Sequence, residues 1–227
     1  MRIPGIIRRV RTGGATGVVA ALLASPVPGA AVTAQEVVNR VQAGLTESRT
    51  FSARFEKRFY WAALDKGSSR QGRIYLERPN RFRLEVEGGD LVVADGQAVW
   101  TYSPQNEQAV VSPYQGQVMT PWEVLLDYAA GFAPVAVQEV ELGGRPCYLL
   151  LLEPQAEDAV VAGMRVWVER ATYLVQQVEQ TETDGNITTY VLSDQRVNTR
   201  LKDDLFRFTP PAGVEVVDRR GPAPGDR

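Results

Sequence analysis

The stretch Thr50-Phe51-Ser52-Ala53-Arg54-Phe55-Glu56-Lys57-Arg58-Phe59-Tyr60-Trp61 decides the fold. Phe51, Ala53, Phe55, Phe59 and Trp61 alternate with Ser52, Arg54, Glu56, Arg58 and Tyr60, so a strand here has one apolar and one wet face. Lys57 is the single misfit, a charge at an apolar position. The period of two resumes in 70–78, where Ile74 and Leu76 oppose Arg73, Tyr75 and Glu77. It continues in 81–87, where Phe82, Leu84 and Val86 oppose Arg81, Arg83, Glu85 and Glu87. A strand buried on both faces would not alternate in this way, so the sheet is of the antiparallel type.

Turn signals pace the chain beyond this core: Gly88-Gly89-Asp90, Asp95-Gly96, Gly143-Gly144 and Asp184-Gly185-Asn186 each separate runs rich in Val, Leu, Tyr or Trp. Together with the three alternating runs in 163–198 they predict about eleven strands. A helix interrupts them at 120–130, with Thr120 as N-cap, Pro121 in the first turn, Glu123 three residues past the cap and Gly131 as the stop. Trp122, Leu125, Leu126 and Ala129 form its apolar face. A second helix, 35–48, precedes the strands and aligns Val37, Val38, Val41 and Leu45, while Thr33 and Glu36 have the spacing of a capping box. A sheet this wide curls. The expected fold is mainly β, an unclosed antiparallel half-barrel with helices over its concave apolar face. Those helices either fill the concavity, leaving only core, or leave room for an apolar ligand. Periodicity alone keeps both open.

The first 31 residues read as a secretory signal peptide. Arg2, Arg8, Arg9 and Arg11 come without any acidic residue, and a short apolar run and the breakers Pro26, Pro28 and Gly29 follow. The apolar run is about half the roughly 20 residues a membrane-spanning helix needs. Small residues allow cleavage after Ala31 or after Ala34; the later cut would discard Thr33 and its cap, which favours Ala31. A single domain is expected over 32–220 and a disordered tail over 221–227. Neither cleavage site has a cysteine, so no lipid anchor is expected there. The mature chain would keep 21 basic and 27 acidic residues, a formal charge of −6, which argues against a nucleic-acid partner.

The chemistry available is narrow. With no histidine and one cysteine, the chain lacks the parts of a Ser-His-Asp or Cys-His machine, of a His-ligated metal site and of an internal disulfide. No enzyme, metal or cofactor is expected. Cys147, between Pro146 and the run 148–152, reads as a buried thiol. The adjacent Asp203 and Asp204, the best remaining carboxylate pair for a hydrolase, read as a solvated turn.

Three blocks carry a resemblance: Glu77-Arg78-Pro79-Asn80-Arg81-Phe82; Leu91-Val92-Val93-Ala94-Asp95-Gly96 leading to Trp100-Thr101-Tyr102-Ser103-Pro104 and Glu107-Gln108; and Phe206-Arg207-Phe208-Thr209-Pro210-Pro211-Ala212-Gly213-Val214. In this order, with the spaced pair Phe51 and Phe55, they resemble the periplasmic outer-membrane lipoprotein carrier family, LolA. The resemblance departs at Leu84, where the family often has Trp, and at Lys57, where it often has Gln.

The resemblance implies an unclosed barrel with a helical lid and a soluble, monomeric, non-enzymatic periplasmic chaperone. It would take lipoproteins by their acyl chains from an inner-membrane ABC-type releasing complex and pass them to an outer-membrane receptor. It implies an acyl-chain cavity formed by Phe51, Phe55, Phe59, Ile74, Leu76, Phe82, Leu84, Val93, Trp100, Trp122, Leu125 and Leu126. It also implies that Arg78 latches the lid. Arg78 shares the parity of Ile74 and Leu76, so its guanidinium at the strand end needs acceptors, and the unpaired carbonyls of a helix end would supply them. The alternatives are an Arg78 that snorkels into water and a periplasmic lipid- or lipoprotein-sensing regulator of the same fold.

Overall fold

The computed structural model describes residues 31–115 and 131–221. The leader through residue 30, the helix expected at 120–130 with Trp122, Leu125 and Leu126, and residues 222–227 of the expected tail lie outside them.

The first element, α1 (Ala34–Glu47), starts where the sequence places its cap. The Thr33 hydroxyl accepts from the Glu36 N–H at 3.2 Å, and the Glu36 carboxylate accepts from the Thr33 N–H at 2.8 Å. These reciprocal bonds satisfy amide donors that a helix start leaves unpaired, and the backbone donor pulls the Glu36 carboxyl below its ordinary range. No helix among the described residues is long and apolar enough to cross a membrane.

The strands are β1 (Thr50–Trp61), β2 (Lys66–Glu77), β3 (Arg81–Val86), β4 (Leu91–Asp95), β5 (Ala98–Ser103), β6 (Gln108–Pro113), β7 (Phe132–Leu142), β8 (Arg145–Pro154), β9 (Val161–Glu169), β10 (Val175–Glu182), β11 (Ile187–Val197) and β12 (Glu215–Asp218). They form one sheet in the order β12-β6-β5-β4-β3-β2-β1-β11-β10-β9-β8-β7, with β7 and β12 as its two edges, so the sheet is open. The described residues thus hold twelve strands rather than about eleven. β12 has four residues, too few for a periodic signal, and it pairs parallel to β6 while the other pairings are antiparallel.

Register sorts every side chain to one of two faces, because residues paired across neighbouring strands share a face. Phe51 pairs with Leu76, Leu76 with Phe82, Phe82 with Ala94 and Ala94 with Val99. This is the inner face, on which α1 packs. Val37 of α1 is fully buried there in one cluster with Phe51, Ala53, Ile74, Phe82, Leu150, Val166 and Val178, and Val38, Val41 and Leu45 pack at its margin.

The opposite, outer face has a second apolar patch. The turn Asp203–Phe206 packs on β3 and β4, with Phe206 1% exposed. The Phe208 ring lies 5.6 Å from Trp100 and 5.5 Å from Tyr102. Two arginines clamp the segment. Arg83 Nη1 donates to the Leu205 carbonyl at 3.1 Å; Arg81 bonds Asp203 at 2.8 Å and stacks over the Phe206 ring. Asp203 is thereby an ion-pair partner held below its ordinary carboxyl range by Arg81. Cys147 is a buried free thiol whose burial pushes its pKa up.

Candidate functional site

An apolar trough under the C-terminal half of α1 is the candidate site. It contains a cleft of ≈ 350 Å³ lined by Val41, Gly44, Leu45 and Ser48 from above and by Phe51, Tyr173, Leu174, Val175, Gln195 and Val197 from the sheet side. Strand alternation supplies the apolar floor, and the 3.6-residue period of α1 supplies the roof. One polar side chain stands out inside: Gln195 Nε2 donates to the Val175 carbonyl at 2.9 Å, while its Oε1 is buried without a hydrogen-bond partner among the described residues.

Arg78 reaches the roof from the sheet. Its Nε donates to the Ser48 carbonyl at 3.1 Å and its Nη2 to the Leu45 carbonyl at 3.0 Å. Both carbonyls belong to the end of α1, where helical oxygens have no intrahelical partner and the helix dipole is negative. The last turn of α1 has no basic residue of its own, so the cation arrives from the end of β2, 30 residues downstream of Ser48. Arg78 is itself exposed, so its bonds are open to competition from water.

The expected cavity residues divide by face and depth. Phe51, Ile74 and Phe82 are buried on the inner face; Leu76 and Leu84 are half-buried beside them. Phe55 is half-buried on the same face, opposite Gly72. A Cβ at Gly72 would sit 2.5 Å from the Phe55 ring and clash with the Glu85 carbonyl, so only glycine admits that ring. Phe59 lies further out, edge-on to Trp61 with ring centroids 4.4 Å apart. Among the described residues of this set, only Phe51 lines the cleft itself; Val41 and Leu45 come from α1, Val175, Gln195 and Val197 from strands remote in sequence, and Tyr173 from the connection between β9 and β10.

Val93 and Trp100 do not belong to the trough. They pair with each other and, through Arg83, take the parity of Tyr75 and Ser52, which places both on the outer face. Val93 is fully buried there, and Trp100 faces Phe208. The run Leu91–Asp95 is apolar at both parities because the C-terminal segment covers its outer side, so sequence alternation cannot tell the faces apart. Trp100→Ala should therefore lower stability by about 2 kcal/mol, roughly half the cost of truncating a fully buried aromatic, and leave apolar-probe binding unchanged. Denaturant melts and probe titrations check this. A loss of binding at unchanged stability would return Trp100 to the trough.

Comparison with known proteins agrees with this architecture. The chain is 27% identical over 192 residues to the outer-membrane lipoprotein carrier protein of Histophilus somni strain 129Pt, covering 83% of this chain and 91% of that one. It is 29% identical over 215 residues to the protein of that name from Chromobacterium violaceum, covering 88% and 93%. Among solved structures it is similar to an uncharacterized conserved protein from Thermus thermophilus, with a TM-score of 0.55 at 19% identity over 82% of this chain and 99% of that chain, a likeness of fold alone. Residues 46–209 match the family model described as outer membrane lipoprotein carrier protein LolA, and the chain belongs to that family.

Proposed function

We propose that this chain is a soluble periplasmic carrier that shields the acyl chains of lipoproteins released from the inner membrane and delivers them to an outer-membrane receptor. The observation that carries the reading is the apolar trough roofed by a helix whose end is held by a few polar bonds from Arg78. At about 0.8 kcal/mol per methylene, two sixteen-carbon chains represent roughly 25 kcal/mol of apolar exposure, which forbids free diffusion through water. A carrier must cover that surface without gripping it, and apolar contact on a sheet does so without ligand-specific bonds. The cleft of ≈ 350 Å³ lies at the low end of ligand pockets, so loading a diacyl anchor requires α1 to move outward. Breaking the Arg78 bonds is the step that permits this, and Arg78 acts as the latch. No chemistry on the cargo is needed.

The test is release from spheroplasts of a Gram-negative host. Mature protein added to them should bring outer-membrane-destined lipoproteins into solution as a one-to-one complex. If a competent control carrier releases lipoprotein and this chain does not, the sensing regulator becomes the better reading.

A further inference from the structure

The trough is apolar at its α1 end and cationic at the other. Along the inner face, Lys57 on β1 pairs directly with Arg70 on β2, and Trp61 pairs with Lys66 two rows further out. Side chains so paired stand about 5 Å apart, and like charges facing each other across strands cost stability unless something neutralises them. Neither Lys57 nor Arg70 has a carboxylate within salt-bridge distance among the described residues. Lys57 instead holds its ammonium over the Tyr190 ring at 5.6 Å. The outer face of the same two strands is arranged differently: Arg58 bonds Glu56 at 2.7 Å, Ser69 bonds it at 2.9 Å, and the two donors hold the Glu56 carboxyl down to about 2. Arg54 also faces Arg73 on the outer side, but Arg54 has Asp194 at 3.2 Å and that face carries Glu56 and Glu77. The inner face of the hairpin carries no carboxylate of its own.

Protection of a sheet edge explains cations on the outermost strands, but β1 is bonded on both sides at Lys57, to β2 and to β11. Solubility does not require them either, since the mature chain is already net negative. Around the pair stand Phe59, Trp61 and Tyr190, so the surface combines aromatics with cations, the composition that meets lipid headgroups. We infer that Lys57 and Arg70 form a subsite for the anionic headgroup of an acyl lipid whose chains lie in the trough, so that this carrier prefers acidic phospholipids over zwitterionic ones of equal chain length. The inference rests on the acyl-chain reading of the trough. Chains inserted toward Phe55, Leu76 and Phe82 leave the head at the level of Lys57, one cross-strand row beyond Phe55 on the same face.

The experiment uses the mature protein with the neutral fluorophore N-phenylnaphthylamine in the trough, displaced by dihexanoyl phosphatidylglycerol or dihexanoyl phosphatidylcholine below their micelle concentrations, or by glycerol phosphate. At about fivefold per cation, phosphatidylglycerol should bind about 25-fold more tightly at low salt, and added salt should erode the difference. Lys57→Gln with Arg70→Gln should abolish the preference, lowering the phosphatidylglycerol affinity far more than the phosphatidylcholine affinity. Glycerol phosphate should displace nothing. Equal affinity of the two lipids for the wild-type protein would overturn the subsite while sparing the acyl-chain reading. Glycerol phosphate binding as tightly as phosphatidylglycerol would replace it with a free-phosphate site. A protein that binds neither probe nor lipid refutes both readings.

Discussion

Leu76→Glu and Phe55→Glu are each expected to weaken binding of a neutral apolar fluorophore at least 100-fold, with the protein still folded. Leu76 stands between Phe51 and Phe82 in register, so a carboxylate there must shed its water into an apolar row or draw water into the trough. Desolvating an unpaired polar group costs about 2 kcal/mol or more, and a charge costs more still, so a loss of about a hundredfold is a modest expectation. Both wild-type side chains are half-buried rather than fully enclosed, which leaves the carboxylate a way to water when the trough is empty and keeps the fold intact. Leu76→Met, similar in volume and still apolar, should bind nearly as well as wild type. Titration of the folded variants, checked by circular dichroism, decides the matter. Unchanged affinity in both Glu variants would mean that Phe55 and Leu76 do not line the site, and the cleft beneath Val41 and Leu45, with Phe51 at its floor, would have to hold the ligand alone.

How far the sequence can be read depends on whether one side of a strand is wet. β1, β2 and β3 alternate because their outer face bears Arg54, Arg73, Arg83 and other polar residues, and so spacing alone assigns Phe51, Ile74, Leu76 and Phe82 to one face. The start of α1 is equally legible, since a capping box is local chemistry between Thr33 and Glu36. Val93 and Trp100 escape this reading because the turn at Asp203–Phe206, more than 100 residues away in the chain, makes their outer face apolar as well. The cleft walls at Tyr173, Gln195 and Val197 are invisible in the sequence for a related reason: Gln195 and Val197 come to α1 through the pairing of β11 with β1, and Tyr173, between β9 and β10, lies under Arg40 of α1, all contacts between segments far apart in the chain. Lys57 is visible as a misfit, but its cross-strand neighbour Arg70 emerges only once the β1–β2 register is known.

Arg78→Leu should yield a carrier that loads but does not let go. The guanidinium gives two bonds to the end of α1, at 3.0 and 3.1 Å, and leucine gives none. Because Arg78 is exposed, water competes for those donors, and each bond contributes about 1 kcal/mol, so the closed empty form loses about 2 kcal/mol. A ligand that binds only the open form gains affinity by the amount its closed competitor loses, here about 30-fold. Entry of lipid is then no harder. Exit is harder, because return of α1 to the sheet no longer helps to displace the chains. The variant should therefore release lipoproteins from spheroplasts at least as well as wild type, deliver them poorly to outer-membrane acceptors, and accumulate as loaded complex. Arg78→Lys should fall between the two, since an ammonium keeps the charge near the helix end but cannot span the Leu45 and Ser48 carbonyls as the planar fork does. Delivery by Arg78→Leu at the wild-type rate, with stability unchanged, would show that the bonds to α1 do not oppose opening and that Arg78 is a surface cation whose neighbours happen to be carbonyls.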